Sequence, residues 1–156
     1  MKTTRPDKSR SGCVIAAVAV MLLLAFAFFV IPSFFGMSFR AKRVEAPANV
    51  TEIRGVQLSY MAAFDTYVSC GSREEAERAL SSGNPKAQRH WEGGEGWEEL
   101  GWRPDGKVRG AYWVEVNPAG DRFEVWGIID IDGDGERAVF RATDREETVM
   151  VTEDAW

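Results

Sequence analysis

The chain has 156 residues and a formal net charge of −5, room for an anchor and one small domain but not for two full domains. Its charge is unevenly placed: residues 1–12 carry Lys2, Arg5, Lys8 and Arg10 against Asp7 alone, and everything after residue 36 carries 15 basic and 23 acidic side chains. So acidic a domain repels phosphate, which argues against a nucleic-acid partner.

No charge interrupts residues 13–35, CVIAAVAVMLLLAFAFFVIPSFF. A helix of that length reaches across a bilayer core of about 30 Å. A cleaved secretory signal fits less well, because its apolar region is shorter and ends in a small-x-small site. The basic N-terminal flank predicts a cytoplasmic N-terminus. Residues 1–12 are then a basic leader, 13–36 a single-pass transmembrane helix in the inner membrane, and the rest lies on the extracytoplasmic, periplasmic side. Lipidation at Cys13 is excluded by order: the apolar run follows this cysteine, whereas a lipoprotein signal needs it before.

Pro32 predicts a kink rather than a stop, since membrane helices tolerate proline. Beyond it the helix is expected to continue over 37–66 as an amphipathic segment. Val50, Ile53, Tyr60, Met61, Phe64 and Tyr67 recur at spacings that share one helical face. Pro47 should bend or locally break this stretch, and Gly55 should weaken it.

The string from Ile31 to Ser69, IPSFFGMSFRAKRVEAPANVTEIRGVQLSYMAAFDTYVS, resembles type IV pilins and the pseudopilins of type II secretion. The resemblance rests on Ile31-Pro32, Phe34-Phe35, Arg40-Ala41-Lys42, Glu45-Ala46, Asn49-Val50 and Tyr60. A second stretch, with Trp97, Leu100-Gly101-Trp102, Pro104, Gly106 and Tyr112, is similar to the region that leads into the sheet of pilin-like proteins. The resemblance implies a structural subunit, or minor component, of a pilus or secretion pseudopilus. It also implies other pilin-like subunits and a prepilin peptidase as partners, with cleavage between Gly12 and Cys13. Ala17 stands where the family carries a membrane-embedded glutamate, which marks this chain as a minor or divergent relative. A carboxylate in lipid is costly and usually functional, so its absence removes an assembly device.

Residues 67–156 read as the exterior domain. Ser72-Arg73-Glu74-Glu75 is a capping-box pattern that predicts a short helix over 72–81, stopped by Gly83-Asn84-Pro85. Gly93-Gly94-Glu95-Gly96 reads as a mobile loop. It is not a phosphate loop, lacking the Lys-Ser/Thr that should follow. From Val108 the pattern alternates, predicting strands near 108–117, 122–131, 136–143 and 147–152. Tyr112, Val114 and Val116 share one face, as do Phe123, Val125, Ile129 and Ile131. The expected fold is α+β: a long N-terminal transmembrane and amphipathic helix packed on a four-stranded antiparallel sheet. Each of the two apolar faces gives the other its cover, and the pilin-like fold has the same arrangement.

The sharpest chemical motif is Asp130-Ile131-Asp132-Gly133-Asp134-Gly135, the opening half of a calcium loop, with Glu136 as a nearby fourth ligand. The twelfth position holds Arg141 rather than a bidentate glutamate. The competing reading is an acidic hairpin turn, in which Asp-Gly is favoured in any case. His90 is the only histidine and lacks a ligand set or a nucleophile beside it, so a zinc site and an enzyme are both unexpected. Cys13 and Cys70 should lie at opposite ends of a long helix, leaving Cys70 as a free thiol or an intermolecular bridge. Six tryptophans point to core and cross-strand packing, or to a carbohydrate or partner surface. Asn49-Val50-Thr51 falls within a predicted helix and reads as a chance glycosylation triplet. Two functions remain open: a pilin-like structural subunit, or a monomeric membrane-anchored module that binds calcium or another ligand.

Overall fold

A computed structural model describes residues 15, 18–26, 28, 42–84 and 86–152. The chain divides into two compact units, Met1–Arg40 and Ala41–Trp156. In the first unit the described residues are helical, and Ile15, Met21, Leu22 and Phe28 are well over half exposed. Among the described residues no helix is long and apolar enough to cross a membrane. Much of the expected span lies outside the described residues, and so do Gly12, Cys13, Ala17 and Pro32.

The described residues of the second unit form the helices α1 (Glu45–Phe64), α2 (Arg73–Ser81) and α3 (Trp97–Leu100) and the strands β1 (Ala111–Val116), β2 (Phe123–Ile129), β3 (Ala138–Thr143) and β4 (Val149–Met150). The strands form one antiparallel meander in the order β1-β2-β3-β4. Val114 pairs with Val125 and Val125 with Ala142, so one face is aliphatic across three strands. Trp113 pairs with Trp126 and Trp126 with Arg141 on the opposite face. The strands start and end within a few residues of the alternation read from the sequence.

α1 lies on the aliphatic face. Ala46, Val50, Ile53 and Gln57 are its buried residues. They recur every three or four positions, which is one stripe of a helix. Val50 and Ile53 are fully enclosed, each contributing about 1.5–3 kcal/mol of burial free energy. Gly127 sets the distance of approach: a Cβ added there would stand 2.6 Å from Val50 Cγ2 and 3.1 Å from the Tyr112 ring.

The helix begins and ends differently from the sequence expectation. Residues 42–43 are helical, Val44 is a turn, and α1 starts at Glu45. Pro47 therefore falls in the first turn, where its missing N–H would have had no intrahelical partner. It does not kink the interior. Phe64, assigned to the apolar face, is 65% exposed: it is the last residue of the helix, followed by Asp65 in a left-handed conformation (φ 58°), and its ring packs on Tyr60 (4.5 Å). Gln57, which no apolar pattern selects, is fully buried instead. Its Nε2 donates to Val68 O (2.6 Å) and its Oε1 accepts from Val68 N (3.1 Å), so its amide replaces the strand partner that Val68 lacks.

α2 matches the sequence expectation, with the Ser72 side chain accepting from Glu75 N at its start. Ala76 and Leu80 face Ala111, Trp113 and Ile128. The glycine segment at 93–96 is anchored at Glu95, whose carbonyl accepts from Gly71 N. Gly96 (φ 79°) is packed so closely on the Ser69 carbonyl that no side chain fits. Residue 70 pairs with Val114 through two backbone hydrogen bonds, which covers part of the free edge of β1.

Candidate functional site

The turn between β2 and β3 carries the acidic motif. Asp130, Asp132 and Asp134 each bring a carboxylate oxygen within 4.8 Å of the others. Asp130 is 6% exposed, whereas Asp132 and Asp134 are exposed. The turn closes around Asp130: its two oxygens accept from Gly133 N (2.6 Å) and Gly135 N (3.2 Å). Both glycines have positive φ (68° and 93°), which lets their N–H groups turn inward. Asp134 accepts from Glu136 N (2.8 Å). Glu136 itself is exposed and does not join the three converging carboxylates.

Three carboxylates this close repel one another by about 1 kcal/mol per pair in a water-like medium, and more where water is excluded. Backbone donors relieve Asp130, and a divalent cation would relieve all three. The side-chain stem of Lys86 lies over Gly133, bringing a positively charged residue to the same turn. Arg141, at the twelfth position counted from Asp130, is committed elsewhere. It pairs with Glu146 (2.7 Å) and Glu124 (3.8 Å) and sits over the Trp126 ring (5.8 Å). The turn therefore offers three monodentate acids and no closing bidentate ligand, an incomplete set by the standard of a calcium loop.

A second polar centre joins α1 to the chain entering β1. Glu45 accepts from Arg109 N and from Gly110 N (3.0 Å), and its second oxygen pairs with the Arg109 guanidinium (3.3 Å). Arg89 completes the joint from the other side, donating to the carbonyls of Arg109 and Gly110 at 2.6 Å each. The N–H and C=O of both residues are thus held by side chains, in a segment where no strand partner serves them. Asn49 Nδ2 donates to Tyr112 Oη (2.8 Å) in the same region. Burial, and then the nearby Glu45 carboxylate, push the Tyr112 phenol above its ordinary range. Desolvation lowers the Arg89 guanidinium. Asn49 is hydrogen-bonded and half-buried, in keeping with a glycosylation triplet that arose by chance.

Cys70 is a free, fully buried thiol. Burial, and then Glu99, push it up to about 12, so it is a poor nucleophile at neutral pH. His90 is exposed. Trp91, Trp97, Trp102 and Tyr112 form one cluster with centroid separations of 5.1–6.0 Å. Trp113 and Trp126 stack in parallel on the opposite face of the sheet (5.8 Å, 7°). Arg89 is legible in the sequence only as a charge; the partly buried carbonyls it serves, those of Arg109 and Gly110, come within its reach only in the folded chain. In comparisons with protein-family models, curated proteins and solved structures, nothing matches this chain.

Proposed function

We propose that the chain is a pilin-like structural subunit, or a minor component, of a type IV pilus or type II secretion pseudopilus, anchored in the inner membrane with its domain outside. One observation carries the reading: the described part of the resembling string, from Glu45 on, packs its helix on the rest of the domain. Glu45 holds the backbone entering β1, Ala46 and Val50 are fully buried, Asn49 bonds Tyr112, and Tyr60 bonds Glu99 (3.1 Å). The helix also leaves an outward side of small or polar residues, Ala48, Thr51, Gly55, Ser59 and Ala62, exposed, as lateral packing beside other helices requires. Mass spectrometry of the mature N-terminus tests the processing step. A chain starting at Cys13 is expected, and an intact Met1 defeats peptidase processing and favours a plain anchor.

A second reading, a monomeric membrane-anchored binding module, is favoured by the aspartates gathered at 130, 132 and 134. Calcium suits such hard oxygen ligands, at the weak end of the affinity range, about 10⁻⁴–10⁻³ M, given the missing bidentate acid. Calorimetry with millimolar calcium decides: heat and a rise in melting temperature, both lost in Asp132→Asn, are expected. No heat and no shift end the calcium assignment.

A further inference from the structure

The outer face of the sheet holds a cleft of about 330 Å³ beside α2, lined by Trp113, Trp126, Ile128 and Val139 from the strands and by charged side chains from both sides. Those charges alternate. Glu115 acts on Arg73, Arg73 pairs with Glu77 (2.8 Å), and Glu77 in turn feels Arg137. Trp113 Nε1 donates to Glu115 (2.8 Å) and Arg137 to Ser81 Oγ (3.4 Å), which orients both residues at the rim. Trp126 is flanked across the strands by Trp113 and Arg141. Its two ring faces are therefore occupied and only its edge can meet the cleft.

We propose that this cleft binds a neutral pyranose sugar. A charged ligand of either sign meets a like charge on this rim, because guanidinium and carboxylate alternate around it. A purely apolar ligand leaves four polar side chains without exchange for the water they lose. A polyhydroxylated ring suits both halves of the lining. Its vicinal hydroxyls donate to the carboxylates of Glu77 and Glu115 and accept from Arg73 and Arg137. Its C–H face lies on Ile128, Val139 and the indole edges. The volume is at the small end for ligand pockets, about 300–1,000 Å³, and limits the occupant to about one ring.

The test is titration of the full-length chain with methyl β-glucopyranoside, methyl β-galactopyranoside and N-acetylglucosamine, following tryptophan emission. At least one should give a saturable change. Glu115→Gln and Arg137→Ala should each weaken it about tenfold, the effect of losing one hydrogen bond to a charged group, with the far-ultraviolet circular dichroism unaltered. His90→Ala, outside the cleft lining, should leave it unchanged. No saturable response to any of the three sugars overturns the proposal, as does a response that both cleft variants retain. Tighter saturation by tetramethylammonium chloride also overturns it, because that marks an aromatic cation site instead.

Discussion

The two faces of the sheet use the same four strands in opposite ways. The face under α1 is apolar and closed: Val114, Val125 and Ala142 stand in register and share one core with Val50 and Ile53, and the Gln57 amide and the Glu45 carboxylate are both hydrogen-bonded to backbone groups. The face under α2 places Glu115 directly opposite Glu124 and lines up Trp113, Trp126 and Arg141 across three strands. A nine-residue helix covers only part of it. Like charges directly opposite weaken a strand pair, a cost that the inner face never incurs. The contrast shows where fold and function separate. The inner face spends its residues on joining helix to sheet, and the outer face retains charge, aromatic edges and a cleft.

If that division holds, substitutions at the joint should be the most damaging. Glu45→Ala leaves two backbone donors and Arg109 without their acceptor, and should lower stability by about 3 kcal/mol in urea denaturation. A loss below about 0.5 kcal/mol, the range of ordinary surface changes, would sink the clamp interpretation. Gly127→Ala should lower stability by about 2 kcal/mol, since the added methyl pushes against Val50 and the Tyr112 ring where α1 is closest. Val50→Ala should cost less in that background than in the parent chain, because it also relieves the clash, and independent, additive effects would argue against the contact.

Alkaline titration separates the enclosed face from the open one. Cys70 ionises near 9.0 when unfolded and at about 12 in the fold. The folded state therefore holds this proton more tightly, and its stability is complete below pH 9 and declines as pH rises from 9 towards 12. Melting temperatures measured across that window should fall, and Cys70→Ala should flatten part of the slope. An unchanged slope in the variant would assign the decline to other groups, Tyr112 first.

The outer face should be the quietest. Glu124→Gln removes one member of a carboxylate pair and a 3.8 Å contact to Arg141, two effects of opposite sign, and should change stability by less than about 0.5 kcal/mol. Gly55→Ala, on the outward side of α1 with nothing within 4 Å of the added Cβ, should stabilise the domain by about 0.5–1 kcal/mol through helix propensity. In the proposed assembly the same methyl lies where a neighbouring helix packs. A more stable domain that forms fewer filaments would support that use of the surface. A more stable domain that assembles normally would remove Gly55 from the contact.

Much of this architecture can be read from local pattern. Period-two alternation located β1, β2 and β3 and put Tyr112, Val114, Phe123 and Val125 on one side. Ser72 and Glu75 marked the start of α2, and the Asp-Gly repeats marked the turn that gathers three carboxylates. Each of these depends on residues only a few positions apart, so the sequence alone determines it. The partners of Glu45, Arg89 and Gln57 lie 11 to 65 positions away, and only the tertiary structure assigns them. Gln57 is buried because Val68 returns beside it with an unpaired peptide. Glu136 is left outside the acidic turn because the backbone directs its side chain to solvent. Burial of a polar group depends on which distant backbone group needs a partner, and that need does not exist until the chain has folded.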